Sequence, residues 1–171
     1  MKSARFGLAD LTNSIFNSLT LPNTVDTLNL GQSGMRECLI LIDGMGRDAV
    51  EKYGEQFSVF SQVKNLSNLY ANFPSTTATS LSTLGTGVLP GIHGMLGYTV
   101  KVPRSDNRLL NALKWDERVD PRMWQKVPTL FERAVGHGIS VTHIAGKRYE
   151  GSGFTQAALR GAKYVGANSI E

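Results

Sequence analysis

The chain has 171 residues, 41% apolar and 19% charged, with a formal net charge of +4. That composition excludes global disorder and allows one domain with a sizeable core, while the scattered Lys and Arg form no basic run that would point to a nucleic-acid polymer. A single cysteine, Cys38, excludes an intrachain disulfide and a Cys-rich zinc motif; no apolar stretch approaches the ~20 residues of a membrane helix and no signal-peptide core follows the charged start, so the expected setting is cytoplasmic, with no membrane.

In chain order, Leu8, Leu11, Ile15, Phe16 and Leu19 share one helical face and predict an amphipathic helix over 8–19, ended by Leu21-Pro22-Asn23. A polar connection through Gly31 to Gly34 follows. Cys38-Leu39-Ile40-Leu41-Ile42 is a continuous apolar run rich in β-branched residues. It predicts a strand buried on both faces, with Cys38 as a small buried hydrophobe at its head. The run stops at Asp43-Gly44-Met45-Gly46, and a helix from Arg47 to about Tyr53 is expected next. Asn65 to Phe73 leads into Pro74-Ser75-Thr76-Thr77. Ala78 to Leu84 reads as a helix closed by Gly85 and Gly87, and Pro90-Gly91 as a turn.

The polar stretch 107–120 reads as loop. Val127-Pro128-Thr129 opens a helix through Val135, with Gly136 and Gly138 as stop signals. Ile139 to Ala145 predicts a second strand, Thr155 to Leu159 a further helix, and Tyr164-Val165 the start of a third strand. Alternation of strand and helix predicts an α/β fold with a mainly parallel sheet flanked by helices.

Two positions carry candidate chemistry. Asp43 lies at the carboxyl end of the best predicted strand, the edge outside which ligands bind in open α/β sheets. Its carboxylate is suited to a cation, with Gly44 and Gly46 letting the backbone turn. Taken alone, Asp43 reads rather as an Asp bonded to its own turn. Thr77 lies at the predicted start of a helix, where free N–H groups and the positive dipole end welcome an anion. Taken alone, Ser75, Thr76 or Thr77 reads as an N-cap. Adjacent parallel strands would bring both positions to one sheet edge, and a metal-activated hydroxyl there suits attack on phosphorus.

Leu41-Ile42-Asp43-Gly44-Met45-Gly46, then Phe73-Pro74-Ser75-Thr76-Thr77, Gly85-Thr86-Gly87, Pro90-Gly91 and His93-Gly94, resemble the alkaline phosphatase superfamily. Within it the chain is similar to the type I phosphodiesterase / nucleotide pyrophosphatase family, in its bacterial branch. The resemblance is strong over 38–98 and looser around Leu8 and from Trp124 through Val165. It implies an alkaline-phosphatase-like fold, with 1–171 as the N-terminal portion of a single catalytic domain. It implies that Asp43 is a ligand of one of two divalent ions, zinc, and that Thr77 is both a ligand of that ion and the nucleophile. Where the family has Phe-Pro-Asn after this threonine, the chain has Ala78-Thr79-Ser80. A phosphate-binding Asn beyond the His-Gly pair falls here at Tyr98.

The expected function is therefore hydrolysis of phosphodiester or pyrophosphate bonds in a small-molecule phosphoester or nucleotide. The alternatives are a phosphomonoesterase or phosphomutase of the same superfamily, and a non-catalytic anion-binding remnant. Thr77 argues against a sulfatase, which generally needs a Cys or Ser there. The family completes its metal sites with Asp and His residues further downstream, so those ligands are expected beyond residue 171. The expected chain is an N-terminal fragment, with a natural start, an incomplete sheet, poor solubility and no activity alone.

The other candidates have bland readings. His93 shapes a Gly-flanked turn. His137 and His143 stand roughly 20 Å apart along an extended stretch, too far to share a metal. Asp106, Asp116 and Asp120 lack ligand spacing, and Trp115 and Trp124 are partly buried loop anchors. Gly151-Ser152-Gly153 is an entry to a helix, and Lys147 and Arg148 are solvated surface.

Overall fold

The computed structural model describes residues 5–32, 34–56 and 68–169. The fold is mixed α/β, with seven α-helices and two small sheets among those residues. No helix among them is long and apolar enough to cross a membrane. Residues 65–67 of the approach to Pro74 lie outside the described residues; the part that is described makes a single parallel bridge, Phe6 to Leu69, rather than a strand.

Helix α1 (Leu8–Ser18) starts where the Asp10 carboxylate accepts the Gly7 N–H at 2.7 Å. It ends at Ser18, three residues before Leu21, and Thr20 beyond it holds a left-handed φ of 63°. Its most buried stripe is Ala9, Thr12 and Phe16, with Ser14 and Ser18 beside it. The larger Leu8, Leu11 and Ile15 are half-buried. Small and hydroxyl side chains thus take the closest contact, which lets α1 lie against helix α3 (Thr77–Thr86).

Helix α3 is the hub: it touches α1, the one-turn α4 (Pro90–His93), α6 (Leu130–Gly136) and α7 (Gly153–Ala158). Gly85 was expected to stop α3 and instead sits inside it. A Cβ at Gly85 would stand 1.9 Å from the Ala158 carbonyl oxygen, so the missing side chain is what lets α7 approach. The helix stops at Gly87, whose φ of 68° supplies the left-handed C-cap. Asn13 of α1 donates to the Gly87 carbonyl at 2.7 Å and fastens that end.

Two apolar clusters flank α3. One joins Ala78, Met95, Ala112, Phe154, Ala158 and Leu159, with Trp115 and Trp124 packed against it. The other joins Phe16, Leu21, Leu130 and Ala134, with Phe131 reaching both. Trp115 donates its indole N–H to the Val119 carbonyl at 2.7 Å, so both tryptophans anchor the loop as expected.

The expected opening of α6 holds in detail. The Thr129 hydroxyl accepts the Glu132 N–H at 3.0 Å and the Glu132 carboxylate accepts the Thr129 N–H at 3.0 Å, a reciprocal capping box. Helix α5 (Pro121–Trp124) is capped by Asp120, and α7 by Ser152, so the Gly-Ser-Gly entry is structural.

The sheets depart from the expectation of a mainly parallel one. Strands β3 (Thr142–Gly146) and β4 (Lys163–Ala167) pair in parallel, close to the two later predicted strands. Strand β1 (Thr99–Lys101), before the stretch read as loop, and β2 (Leu109–Asn111), inside it, form an antiparallel pair. The predicted strand over 38–42 is irregular and outside every sheet. Its residues are exposed, Ile40 at 79%, and Cys38 is exposed with them rather than buried. A strand is defined by a ladder partner, and among the described residues none stands beside this run.

Candidate functional site

The site grows from two turns that meet. After Ile42 the chain reverses: the Met45 N–H donates to the Ile42 carbonyl at 3.4 Å, with Asp43 and Gly44 at the corner. Gly44 takes a φ of 75°, which a Cβ would strain, so the glycine the sequence singled out is required. Gly46 then opens helix α2 (Arg47–Tyr53).

The other turn is the start of α3. Its N-cap is Thr76: the hydroxyl accepts the Thr79 N–H at 3.3 Å and lies 2.9 Å from the Thr79 hydroxyl. The sequence left the cap open among Ser75, Thr76 and Thr77. With Thr76 in that role, the hydroxyl of Thr77 has no capping duty. It donates instead to the Asp43 carboxylate at 3.0 Å, across 34 residues of sequence. The bond is exposed to solvent. The Ser80 N–H goes to the Thr76 carbonyl at 2.9 Å. The N–H groups of Thr77 and Ala78, in the first turn before Ser80, have no intrahelical acceptor and point along the helix axis. A carboxylate oxygen, a hydroxyl and two backbone donors are therefore gathered at one helix end.

These donors suit part of a cation shell. Two oxygens on one zinc ion at about 2.0 Å stand about 3.3 Å apart in a tetrahedral arrangement. The Asp43 and Thr77 oxygens, at 3.0 Å, need move only slightly to share such an ion. They are two donors, where a zinc shell takes four. Among the described residues no group of three or more His, Cys, Asp or Glu side chains is placed to hold a metal. The fit is thus to one side of one ion.

The remaining candidates fall where their bland readings put them. His93 is buried, at 3% exposure, inside the turn after α3. Its Nδ1 accepts the Met95 N–H at 3.0 Å and its Nε2 lies 3.0 Å from the Thr83 hydroxyl. Burial lowers its pKa to about 4. His137 caps α6, its Nδ1 2.8 Å from the Arg133 carbonyl, while His143 on β3 packs edge-on against Tyr164. Asp116 chelates Arg118 through two bonds of 2.8 Å; the Arg118 hydrogen bonds hold its carboxyl at about 2. Tyr98 is exposed just before β1, and its carbonyl accepts the Ala112 N–H at 2.8 Å. No hydrogen bond joins its hydroxyl to Asp43 or Thr77 among the described residues. The Thr83–His93 contact was missed by the sequence reading; a Thr ten residues before a His carries no spacing signal.

No curated protein and no solved structure matches the chain. The family model of type I phosphodiesterase / nucleotide pyrophosphatase matches residues 38–162, a span that takes in Asp43, Thr77 and Tyr98 and more than half of the chain. The chain belongs to that family, within the alkaline phosphatase superfamily.

Proposed function

We propose that the chain carries the nucleophile side of a metal-dependent hydrolase acting on phosphodiester or pyrophosphate bonds of a small phosphoester or nucleotide. The observation that carries this reading is the 3.0 Å bond from the Thr77 hydroxyl to Asp43 at the N-terminus of α3. Family membership supports the reaction class; the roles of individual residues are inferred from the site.

Asp43 and Thr77 would hold a divalent cation, zinc, as one of a pair whose other ligands lie outside the set described here. When bound, the cation lowers the pKa of the Thr77 hydroxyl and offsets charge on the phosphate. The chain's own groups do the rest. Asp43 orients the Thr77 oxygen and accepts its proton along the existing bond. The N–H groups of Thr77 and Ala78 hold a phosphate oxygen at the helix end. Tyr98 is the assigned side-chain donor to a second phosphate oxygen. The Thr77 oxygen bonds to phosphorus as the bond from phosphorus to the departing alcohol or nucleotide oxygen breaks, and that oxygen takes a proton from solvent. Water then cleaves the Thr77 oxygen–phosphorus bond and returns the hydroxyl.

The test is hydrolysis of bis(p-nitrophenyl) phosphate by the zinc-supplemented protein in a form that carries the further metal ligands together with this chain. Thr77→Ala is expected to lower kcat by about 10³-fold or more, since a covalent route needs the oxygen. Thr76→Ala, which removes the cap and keeps the nucleophile, is expected to stay within about tenfold. Full activity in Thr77→Ala would sink the assignment. Isothermal titration with zinc separates the anion-binding alternative. In the protein that carries the further ligands, two tight ions support the two-metal site; no bound ion with retained phosphate binding favours a site that holds anions without turning them over.

A further inference from the structure

The buried face of α3 carries a chain of polar contacts with no role in the mechanism above. It begins at the backbone of Met95, whose N–H donates to His93 Nδ1 at 3.0 Å. Because Nδ1 accepts, it carries no proton, and the neutral imidazole has its hydrogen on Nε2. Nε2 therefore donates to the Thr83 hydroxyl at 3.0 Å, and that hydroxyl donates in turn to the Thr79 carbonyl at 2.9 Å. Every donor has an acceptor and every direction is determined. Thr79 continues the line, since its own hydroxyl lies 2.9 Å from the cap hydroxyl of Thr76 and its N–H donates to it.

Both ends of this line matter to the site. One end is the cap next to Thr77. The other is Met95, three residues before Tyr98. His93, Thr83 and Thr79 are all buried, so water does not compete for these bonds. The imidazole spans helix and turn with two opposed ring nitrogens, which no aliphatic side chain of that size can do.

We propose that His93 is a positioning residue: through Thr83 and Thr79 on one side and Met95 on the other, it fixes the Thr77 end of α3 relative to the segment that leads to Tyr98. The inference rests on Thr77 being the nucleophile and adds the element that holds the nucleophile and the phosphate-binding segment in register.

The experiment uses the same zinc-supplemented protein that carries the further metal ligands, bis(p-nitrophenyl) phosphate as substrate, and rates normalised to the folded fraction from circular dichroism. Thr83→Val removes the acceptor of the Nε2 proton and keeps the shape. It is expected to lower kcat by about 10- to 100-fold with KM within about threefold, the signature of a reacting group displaced by less than an ångström or so. His93→Phe, which removes both ring nitrogens, is expected to fall at least as far. His93→Asn keeps an acceptor near the Met95 N–H and is expected to recover part of the loss. The double variant His93→Phe/Thr83→Val should be no worse than His93→Phe alone, because both cut one line.

Thr77→Ala run in parallel keeps the two ideas apart. Turnover lost in Thr77→Ala but unchanged, per folded molecule, in Thr83→Val and His93→Phe overturns the positioning role and leaves the nucleophile standing. Additive losses in the double variant also overturn it. A wild type without turnover, or one indifferent to Thr77→Ala, overturns both.

Discussion

The two residues of the candidate site are held in opposite ways. Thr77 begins a helix whose far side is buried against α1, α6 and α7, with Ala78 and Thr79 fully enclosed. Asp43 ends an apolar run that is exposed along its length and joins no sheet. One half of the site is set by packing, the other by a tight turn and the hydrogen bond to Thr77 itself. A site built so unequally has its threonine hydroxyl held by packing and its carboxylate freer to adjust. The predictions below measure the inequality, first where the chain is most rigidly packed and last where it is most exposed.

The largest effect is expected at Arg160, the tie among α5, α6 and α7. It is 8% exposed and donates to the carbonyls of Gln125, Val127 and Ala157 at 3.2, 2.8 and 2.7 Å. Its Nε meets the Glu132 carboxylate at 2.9 Å, and its carbonyl accepts the Thr129 hydroxyl. Arg160→Met keeps much of the length and removes every one of the side-chain donors. Partial exposure of Glu132 softens the penalty, so a loss of about 3 kcal/mol is expected, at the low end for a broken buried pair. In thermal unfolding this is a fall in Tm of about 6–12 °C. A change below about 1 kcal/mol would mean that the helices around α3 do not form the rigid half of the molecule.

A pH effect of up to about 3 kcal/mol is expected from His93. Its folded pKa is lowered by burial to about 4, from an ordinary 6.5. Between those values the unfolded chain binds the extra proton, so stability rises with pH through the window. It is complete above about 6.5 and lost as pH falls toward 4. His143 is shifted in the same direction by burial and adds to the slope. Asp116 acts lower: with its carboxyl held at about 2, its share is lost only as pH falls below its ordinary value of 3.8. Urea melts from pH 7 to 4 on wild type and His93→Asn read the difference. An unchanged slope in the variant would show that the buried ring contributes nothing to the packed half.

How far the sequence foretold these halves follows from the range of the interactions involved. Capping is local, so the opening of α6 near Thr129 and the positions of α3, α6 and α7 were readable to within two or three residues. The turn at Gly44 was equally readable, because one glycine and its neighbours decide it. Gly85 misled because its meaning lies in Ala158, 73 residues away, and glycine near a helix end ordinarily signals a stop. The β1–β2 pair was missed because three-residue strands leave too short an alternation to detect. Arg160 gave no signal, since a cation at the end of a helix normally faces water. For the site, the motif supplied Asp43 and Thr77, while the assignment of the cap to Thr76 needed coordinates.

Residues 38–42 are where sequence and structure disagree most, and there the smallest effect is the informative one. Read as a strand covered on both faces, Cys38-Leu39-Ile40-Leu41-Ile42 would bury Ile40, and Ile40→Lys would place an unpaired charge in a core at a cost of 4 kcal/mol or so. In the structure Ile40 is 79% exposed, and a lysine there keeps its ammonium in water. The expected change is then within about 0.5 kcal/mol, as for other surface substitutions. The urea midpoint and the slope of the transition decide between them, since a shifted midpoint at constant slope reports stability alone. A neutral result would establish that Asp43 is delivered to Thr77 by a segment without a core of its own. A loss of several kcal/mol would show that the run finds cover in solution, and that the carboxylate half of the site is as firmly held as the helix it meets.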